Sequence, residues 1–297
     1  MTTVLKKTSI FPGTARSVFR RDPTIVAHFP GLAGATGGLV DISGNAYNAT
    51  ARGTPNANYF GRHKKQAYRY VNTKTGGAKY IDFPGSATIT WAAGTKLSIA
   101  FWFYAYQTVT ESGEANWRFM EKSAQSNGGA SGNWNLAYSG NGLSLGYSNS
   151  ANSASYSISQ ADVYIHKEVW YHVIWTYSFP TGSDATKPSL FVNGRKQLLG
   201  AWNSTPNGSV ITATGETCKI GADSYGATYG GSDNRGMNGM LDEVVFWKGR
   251  EITPAEAWKF YRMSSRSRAA YVHAEPAAAG GSAVAAMMNS YRRMRAA

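Results

Sequence analysis

Two Asn-Gly pairs, each set between alternating apolar runs, constrain this chain more than any other feature. Asn141-Gly142 lies inside WNLAYSGNGLSLGYS (134–148), and Asn193-Gly194 lies inside PSLFVNGRKQLL (188–199). Both residues of such a pair take positive φ cheaply, so the flanks fold back on each other as antiparallel strands. WYHVIWTYS (170–178) alternates between Tyr171, Val173, Trp175 and Tyr177 on one face and His172, Ile174 and Thr176 on the other. LSIAFWFYAY (97–106) is a long aromatic-rich run, and Ser/Gly/Asn-rich stretches at 123–133 and 148–157 read as loops. The composition is 42% hydrophobic and 13% aromatic with 33 glycines, enough apolar mass for a packed core between many turns. These features predict an all-β protein, a two-sheet antiparallel jelly-roll sandwich.

The pattern changes at Thr253-Pro254-Ala255-Glu256, which reads as a capping box with proline at the first helical position. A short capped helix is expected over 254–263. Beyond it, SSRSRAAYVHAEPAAAGG reads as a linker, and Val284, Met287, Met288, Tyr291 and Met294 fall at helical spacing beside Arg292, Arg293 and Arg295. The expected organisation is a basic extended arm over 1–24, the sandwich over 25–263, and a linker with an amphipathic basic helix over 264–297.

Charge follows that division. The net charge is +13, of which residues 1–22 hold +4 and residues 259–297 hold +6. A near-neutral body with cationic ends suits a module that grips acidic neighbours, through Arg16, Arg20 and Arg21 at one end and Met287, Met288, Tyr291 and Met294 at the other. No apolar run reaches the ~18 residues of a membrane span, and the first residues lack a signal-peptide core. Cys218 is the single cysteine, so an internal disulfide is impossible; it reads as a small buried apolar residue.

LVDISGNAYNAT (39–50), LSIAFWFYAY, WYHVIWTYS, LFVNGRKQ (190–197), CKIGADSYG (218–226) and GMLDEVVFWKGREITPAEAWKFY (239–261) occur in this order. Together they resemble laminin-G-like domains of the concanavalin A-like lectin/glucanase superfamily, across 39–261. The resemblance implies a jelly roll of a dozen or more strands. It also implies a calcium site that joins the Asp41 turn to Asp242 of the last strand. Asp41-Ile42-Ser43-Gly44-Asn45 alone admits a second reading, in which Asp41 caps its own turn.

Glycoside hydrolysis needs two facing carboxylates. The Glu-x-Asp-x-x-Glu strand of the related glucanases is missing, Glu111 and Glu114 fall in a loop, and the adjacent Asp242 and Glu243 would point to opposite faces of a strand. The expectation is therefore that the chain is not an enzyme. A glycan would be held by the loop residues Asp223, Tyr225, Tyr229, Asp233, Asn234 and Arg235, with Trp117 and Trp202 as further stacking candidates, while Trp102, Trp170, Trp175 and Trp247 are expected to be packing. Arg62-His63-Lys64-Lys65 with Tyr68, Arg69 and Tyr70 reads as a solvated hairpin edge in preference to a nucleic-acid surface.

Laminin-G-like modules usually work outside cells, whereas this chain shows no export signal and no disulfide. A bacteriophage virion protein reconciles the two: made in the host cytoplasm, assembled as a head decoration, collar, tail or fibre component, and anchored by its termini to capsid, portal or tail proteins or to further copies of itself. The alternative is a glycan-binding adhesion module for a host surface glycan, calcium-dependent or not; a polysaccharide hydrolase is the third reading.

Overall fold

The structure is a computed structural model of the 297-residue chain, and it describes residues 22–29, 39–52, 56–60, 66–71, 80–83, 89, 93–112, 116–123, 132–139, 142–148, 155–159, 165–182, 186–203, 217–222 and 236–265. The basic ends, with Arg16, Arg20, Arg21, Met287, Met288, Tyr291 and Met294, lie outside these residues. Among those described, fifteen strands form two antiparallel sheets, the jelly-roll sandwich that the hairpins and alternation predict.

One sheet has eight strands. Its main path runs β13 (Arg195–Lys196), β12 (Ser189–Val192), β11 (Trp170–Ser178), β6 (Lys96–Ala105), β15 (Asn238–Lys248), β4 (Gln66–Val71) and β3 (Asn56–Phe60), with β1 (Ile25–Phe29) also paired to β15. The seven-stranded sheet runs β10 (Ser155–Ser159), β9 (Gly142–Ser148), β8 (Gly132–Ser139), β7 (Asn116–Ser123), β14 (Cys218–Ile220), β5 (Tyr80–Phe83) and β2 (Thr50–Arg52). Between them lies the main core. Phe101, Phe103, Tyr171, Val173, Trp175 and Phe246 face Ile81, Phe83, Trp134, Leu136, Leu145, Tyr147 and Ile220. Phe29, Phe83 and Phe246 interlock edge-to-face and stacked at its centre, with centroids 5.2 to 6.5 Å apart.

The predicted alternation of β11 is borne out. Tyr171, Val173, Trp175 and Tyr177 enter this core, whereas Ile174 enters a second cluster on the outer face of the eight-stranded sheet. That cluster, with Ile25, Ala100, Phe191, Val245, Trp247 and Ile252, is covered by Ala257 and Phe260 of a helix over Pro254–Ser265. A four-residue helical turn over Val109–Ser112 comes first in the chain, so the two are α1 and α2. The capping box forms as spaced: Thr253 Oγ1 accepts from the Glu256 N–H at 3.3 Å, and Glu256 Oε2 accepts from the Thr253 N–H at 2.9 Å. Asn193 and Gly194 adopt φ of 49° and 75°, and the hairpin they turn sits against α2, where any Cβ at position 194 would lie 2.8 Å from the Trp258 ring.

β15 exchanges partners along one edge. Residues 238–241 pair with β4, whereas 244–247 pair with β1. A bulge falls at the exchange, where Glu243 takes a φ of 50°. The left-handed residue turns its carboxylate to His28 of β1, whose Nε2 lies 2.9 Å from Glu243 Oε2.

Candidate functional site

The predicted metal pair has a different role in the described structure. The Asp41 carboxylate is nearly enclosed and takes four hydrogen bonds. Oδ1 accepts from the N–H groups of His28 and Ser43 at 2.9 and 2.8 Å; Oδ2 accepts from Ser43 Oγ–H and the Tyr47 N–H at 2.8 and 3.0 Å. Asp242 Oδ1 accepts from the N–H of Glu243 at 2.9 Å and so braces the bulge. Calcium takes six to eight oxygens. Donors already directed at both oxygens of Asp41 make it a turn cap that pins the 41–47 loop to β1, and this set does not fit the cation. Among the described residues no three His, Cys, Asp or Glu side chains converge.

Of the stacking candidates, Trp117 is fully buried, against the expectation, because β7 points it into the core. Trp202 packs edge-on to Tyr147 and beside Tyr177. Trp170 packs against the Tyr104 ring, as expected, and is half-buried on the outer face of the eight-stranded sheet.

The outer face of the seven-stranded sheet carries an arrangement that no single segment announces. Ser157, Gly146, Asn135, Glu121, Lys219, Asp82 and Thr50 pair in succession, one residue from each strand, as a continuous rung across all seven strands. Glu121 reaches this face because of a bulge. The register of β7 against β8 shifts between Arg118 and Met120, so Phe119 and Met120 both enter the core and Glu121 turns outward. The same shift buries Lys122 on the inner side, in register with Cys218 and Trp134.

The charged part of the rung is held in place by its own contacts. Asp82 Oδ2 accepts from Arg52 Nε at 3.0 Å, and its Oδ1 accepts from Thr217 Oγ1 at 3.1 Å and lies 3.5 Å from Lys219 Nζ. Lys219 Nζ also donates to Thr217 Oγ1 at 3.2 Å and stands 5.6 Å above the Tyr80 ring. Arg118 Nη1 donates to Asn135 Oδ1 at 2.6 Å, and its Nε lies 3.4 Å from Glu121 Oε2. Lys219, Asp82, Arg118 and Glu121 each keep only 10 to 17% of their side-chain surface exposed, so neighbours lock their orientation. Burial, and next the Asp82 carboxylate, raise the Tyr80 hydroxyl above its ordinary range, so it stays protonated beside the rung. Towards β9 the face flattens to Ala137, Ser144 and Gly146, where a Cβ at 146 would lie 2.9 Å from Asn135 Nδ2.

The predicted glycan loop, with Asp223, Tyr225, Tyr229, Asp233, Asn234 and Arg235, lies outside the described residues. Its flanks do not. Gly221 N–H donates to Phe119 O at 2.7 Å, and Gly236 bridges to Arg118. Both ends of that segment are therefore anchored beside Arg118, at the edge of the polar rung.

A two-sheet antiparallel sandwich with one outer face partly covered by a helix and the other lined with ordered polar groups is a lectin-like β-sandwich. The chain belongs to the concanavalin A-like lectin/glucanases superfamily: the profile of its third laminin-G family matches residues 75–257. Comparison with curated proteins found no match. Among solved structures, the chain is similar to the binding domain of Paraclostridial Mosquitocidal Protein 1 (14% identity, TM-score 0.56, 81% of this chain and 52% of that one). It is also similar to Domain 4 of AbnA, a GH43 extracellular arabinanase from Geobacillus stearothermophilus solved in complex with arabinotriose (17%, 0.52, 80% and 98%). The binding domain of botulinum neurotoxin serotype G is a third (15%, 0.52, 81% and 51%). The chain thus spans about half the length of the two toxin domains and nearly all of the arabinanase domain.

The expectation that the chain is not an enzyme is corrected. A domain of this fold is part of an arabinanase. The physical reason is that a missing single-strand carboxylate motif says nothing of carboxylates brought together from separate strands. Asp82 and Glu121, on β5 and β7, flank Lys219 in one rung although 38 sequence positions separate them.

Proposed function

We propose that the chain is a carbohydrate-binding β-sandwich that lays an oligosaccharide across the outer face of its seven-stranded sheet. The observation that carries this reading is the seven-strand rung, in whose charged part Glu121, Lys219 and Asp82 alternate as acceptor, donor and acceptor at strand spacing and are held by Arg118, Thr217 and Arg52. Sugar hydroxyls donate and accept at once, and are recognised by amide, carboxylate and guanidinium groups fixed in advance, because less rotamer freedom is then lost on binding. Asn135 and Arg118 supply a planar donor–acceptor pair, Asp82 and Glu121 accept, and Gly146, which has no side chain, leaves room for the ring. The loop residues Asp223, Tyr225, Tyr229, Asp233, Asn234 and Arg235 belong to the same reading, since their segment is rooted beside Arg118. The solved complex of the arabinanase domain with arabinotriose supports a saccharide as the ligand class for this fold.

The test is a glycan array probed with the full chain, followed by titration of the best ligand into Arg118→Met and Asn135→Ala. Each substitution is expected to weaken binding about tenfold, ~1.4 kcal/mol, with both variants folded by circular dichroism. Undiminished affinity in both overturns the reading.

A second reading concerns the whole chain and rests on its charge. Ten of its thirteen net positive charges lie in residues 1–22 and 259–297. That distribution supports a component of a virion assembly, with Arg16, Arg20, Arg21 and the Met287, Met288, Tyr291 and Met294 stripe as the anchoring contacts.

A further inference from the structure

The opposite sheet carries a second feature of ligand-binding character, independent of the polar rung. Trp170 opens β11 and pairs with Tyr104 of β6; their ring centroids lie 5.5 Å apart with planes tilted by 51°. Tyr106, two residues on, meets Tyr104 edge-on at 5.4 Å. All three are half-buried, unlike the fully buried interior aromatics of the same strands, and the Tyr106 hydroxyl is enclosed. Helix α2 seals the neighbouring rung: Tyr261 lies against Trp102 and His172 at 5.8 and 6.1 Å. Trp170 and Tyr104 stand one rung further along. Beside them on β15, Met240 is the register partner of Tyr104 and is buried. At Gly239 a Cβ would fall 2.1 Å from the Tyr104 carbonyl oxygen, so a side chain at 239 has no room beside the β6 backbone.

The rim is polar, with the Glu168 carboxylate exposed beside it. Asn238 Nδ2 donates to Gln107 Oε1 at 2.7 Å, Gln107 is exposed, and Lys167 and Glu111 neutralise each other at 2.7 Å. Burial, and next the Glu168 carboxylate, raise the Tyr104 hydroxyl above its ordinary range, so it remains a neutral donor. Rings one strand spacing apart, edged by hydroxyl, amide and carboxamide groups, match a pyranose chain. C–H faces of successive sugars stack on the rings while hydroxyls meet the rim. A protein partner would be expected to find a dry apolar centre with a polar surround, whereas here the Asn238–Gln107 pair sits directly beside Tyr106.

We infer that Trp170, Tyr104 and Tyr106 form a stacking platform for a neutral oligosaccharide, separate from the polar rung and on the other sheet. One domain would then engage two glycan chains, or two points of a polymer, with the gain that bivalence brings.

The experiment uses the full chain labelled with 5-fluorotryptophan, its Trp170 fluorine signal assigned by loss in Trp170→Phe. Neutral oligosaccharides (cello-, xylo-, arabino- and malto-series) are titrated in, and the corresponding insoluble polysaccharides are used in pull-down. One series is expected to shift the Trp170 signal, Tyr104→Ala and Tyr106→Ala to weaken that response at least tenfold, and Arg118→Met to leave it intact. A Trp170 signal unmoved by every series overturns the platform, as does a response that survives both tyrosine substitutions. Retention of a protein, with no saccharide response and lost in the same variants, also overturns it. Loss only in Arg118→Met sustains the polar rung and removes the platform. Loss of the Trp170 response only in the tyrosine variants is the expected outcome, and it leaves the polar rung to its own titration.

Discussion

A missing methyl group at position 146 lets the Asn135 amide lie across β9. Added there, a Cβ would stand 2.9 to 3.0 Å from both ends of that amide. The clash is with the tip of a movable side chain, so Asn135 yields and the sheet does not. Gly146→Ala is therefore expected to cost less than about 1 kcal/mol in urea unfolding, while displacing the acceptor of the 2.6 Å Arg118 bond and weakening saccharide binding severalfold. Position 239 is the contrasting case, because the obstacle there is the Tyr104 backbone carbonyl. Gly239→Ala is expected to destabilise by roughly 2 kcal/mol or more, read in the same unfolding experiment. Cys218, sealed in the core, has its thiol pushed up to about 12 by burial, with Lys122 and Lys219 opposing only in part. Its thiolate is the reactive form, so native protein is expected to resist iodoacetamide at about pH 8 and to react only when unfolded. Labelling of the folded chain within minutes would contradict the burial.

Single elements show which parts of this molecule were legible in the sequence. The Asn193-Gly194 hairpin and the Thr253/Glu256 box form as spaced, since both are decided by residues within one turn of each other. Trp117 was misassigned because alternation identifies a strand's two faces without saying which is covered. The polar rung was invisible for a further reason. Asp82, Glu121, Asn135 and Lys219 meet through strand pairings far apart in the chain, and Glu121 faces outward only because a bulge at Phe119 shifts its register. No local pattern records a bulge of that kind.

The cap of α2 also sets an acid dependence. Burial raises the Glu256 carboxyl, but the N–H and hydroxyl of Thr253 and the Arg250 guanidinium more than offset it, leaving the group below the usual carboxylate range. A depressed folded value means the stabilisation is present above the unfolded value, about 4.3, and is lost as pH falls through the folded one. Glu256→Gln is accordingly expected to lower stability at neutral pH and to flatten the decline below about pH 4, measured as urea midpoints across pH 3 to 7. Thr253→Ala removes the reciprocal partner and is expected to cost about 1 kcal/mol.

At the scale of the whole molecule, the described body closes on itself before either basic end begins. β1 pairs along β15, the Lys248 N–H donates to Thr24 O at 2.9 Å, and Arg250 bridges Asp22 to Glu256. First strand, last strand and sealing helix are thus one cooperative seam. Residues 22–265 retain 20 basic and 16 acidic residues, a net charge of +4 against +13 for the full chain. Fold and cation density therefore separate physically, and a chain cut to 22–265 tests both. Its melting temperature is expected to stay within about 2 °C of the full chain's, because no pairing in the seam is removed. Retention on a sulfated polyanion column is expected to collapse and to lose most of its salt dependence, since exposed charges act through a field that salt screens within about 10 Å. A truncated body that melts much earlier would make the ends part of the fold. A body that still binds the polyanion as tightly would locate the cationic surface on the sandwich and remove the anchoring role from the termini.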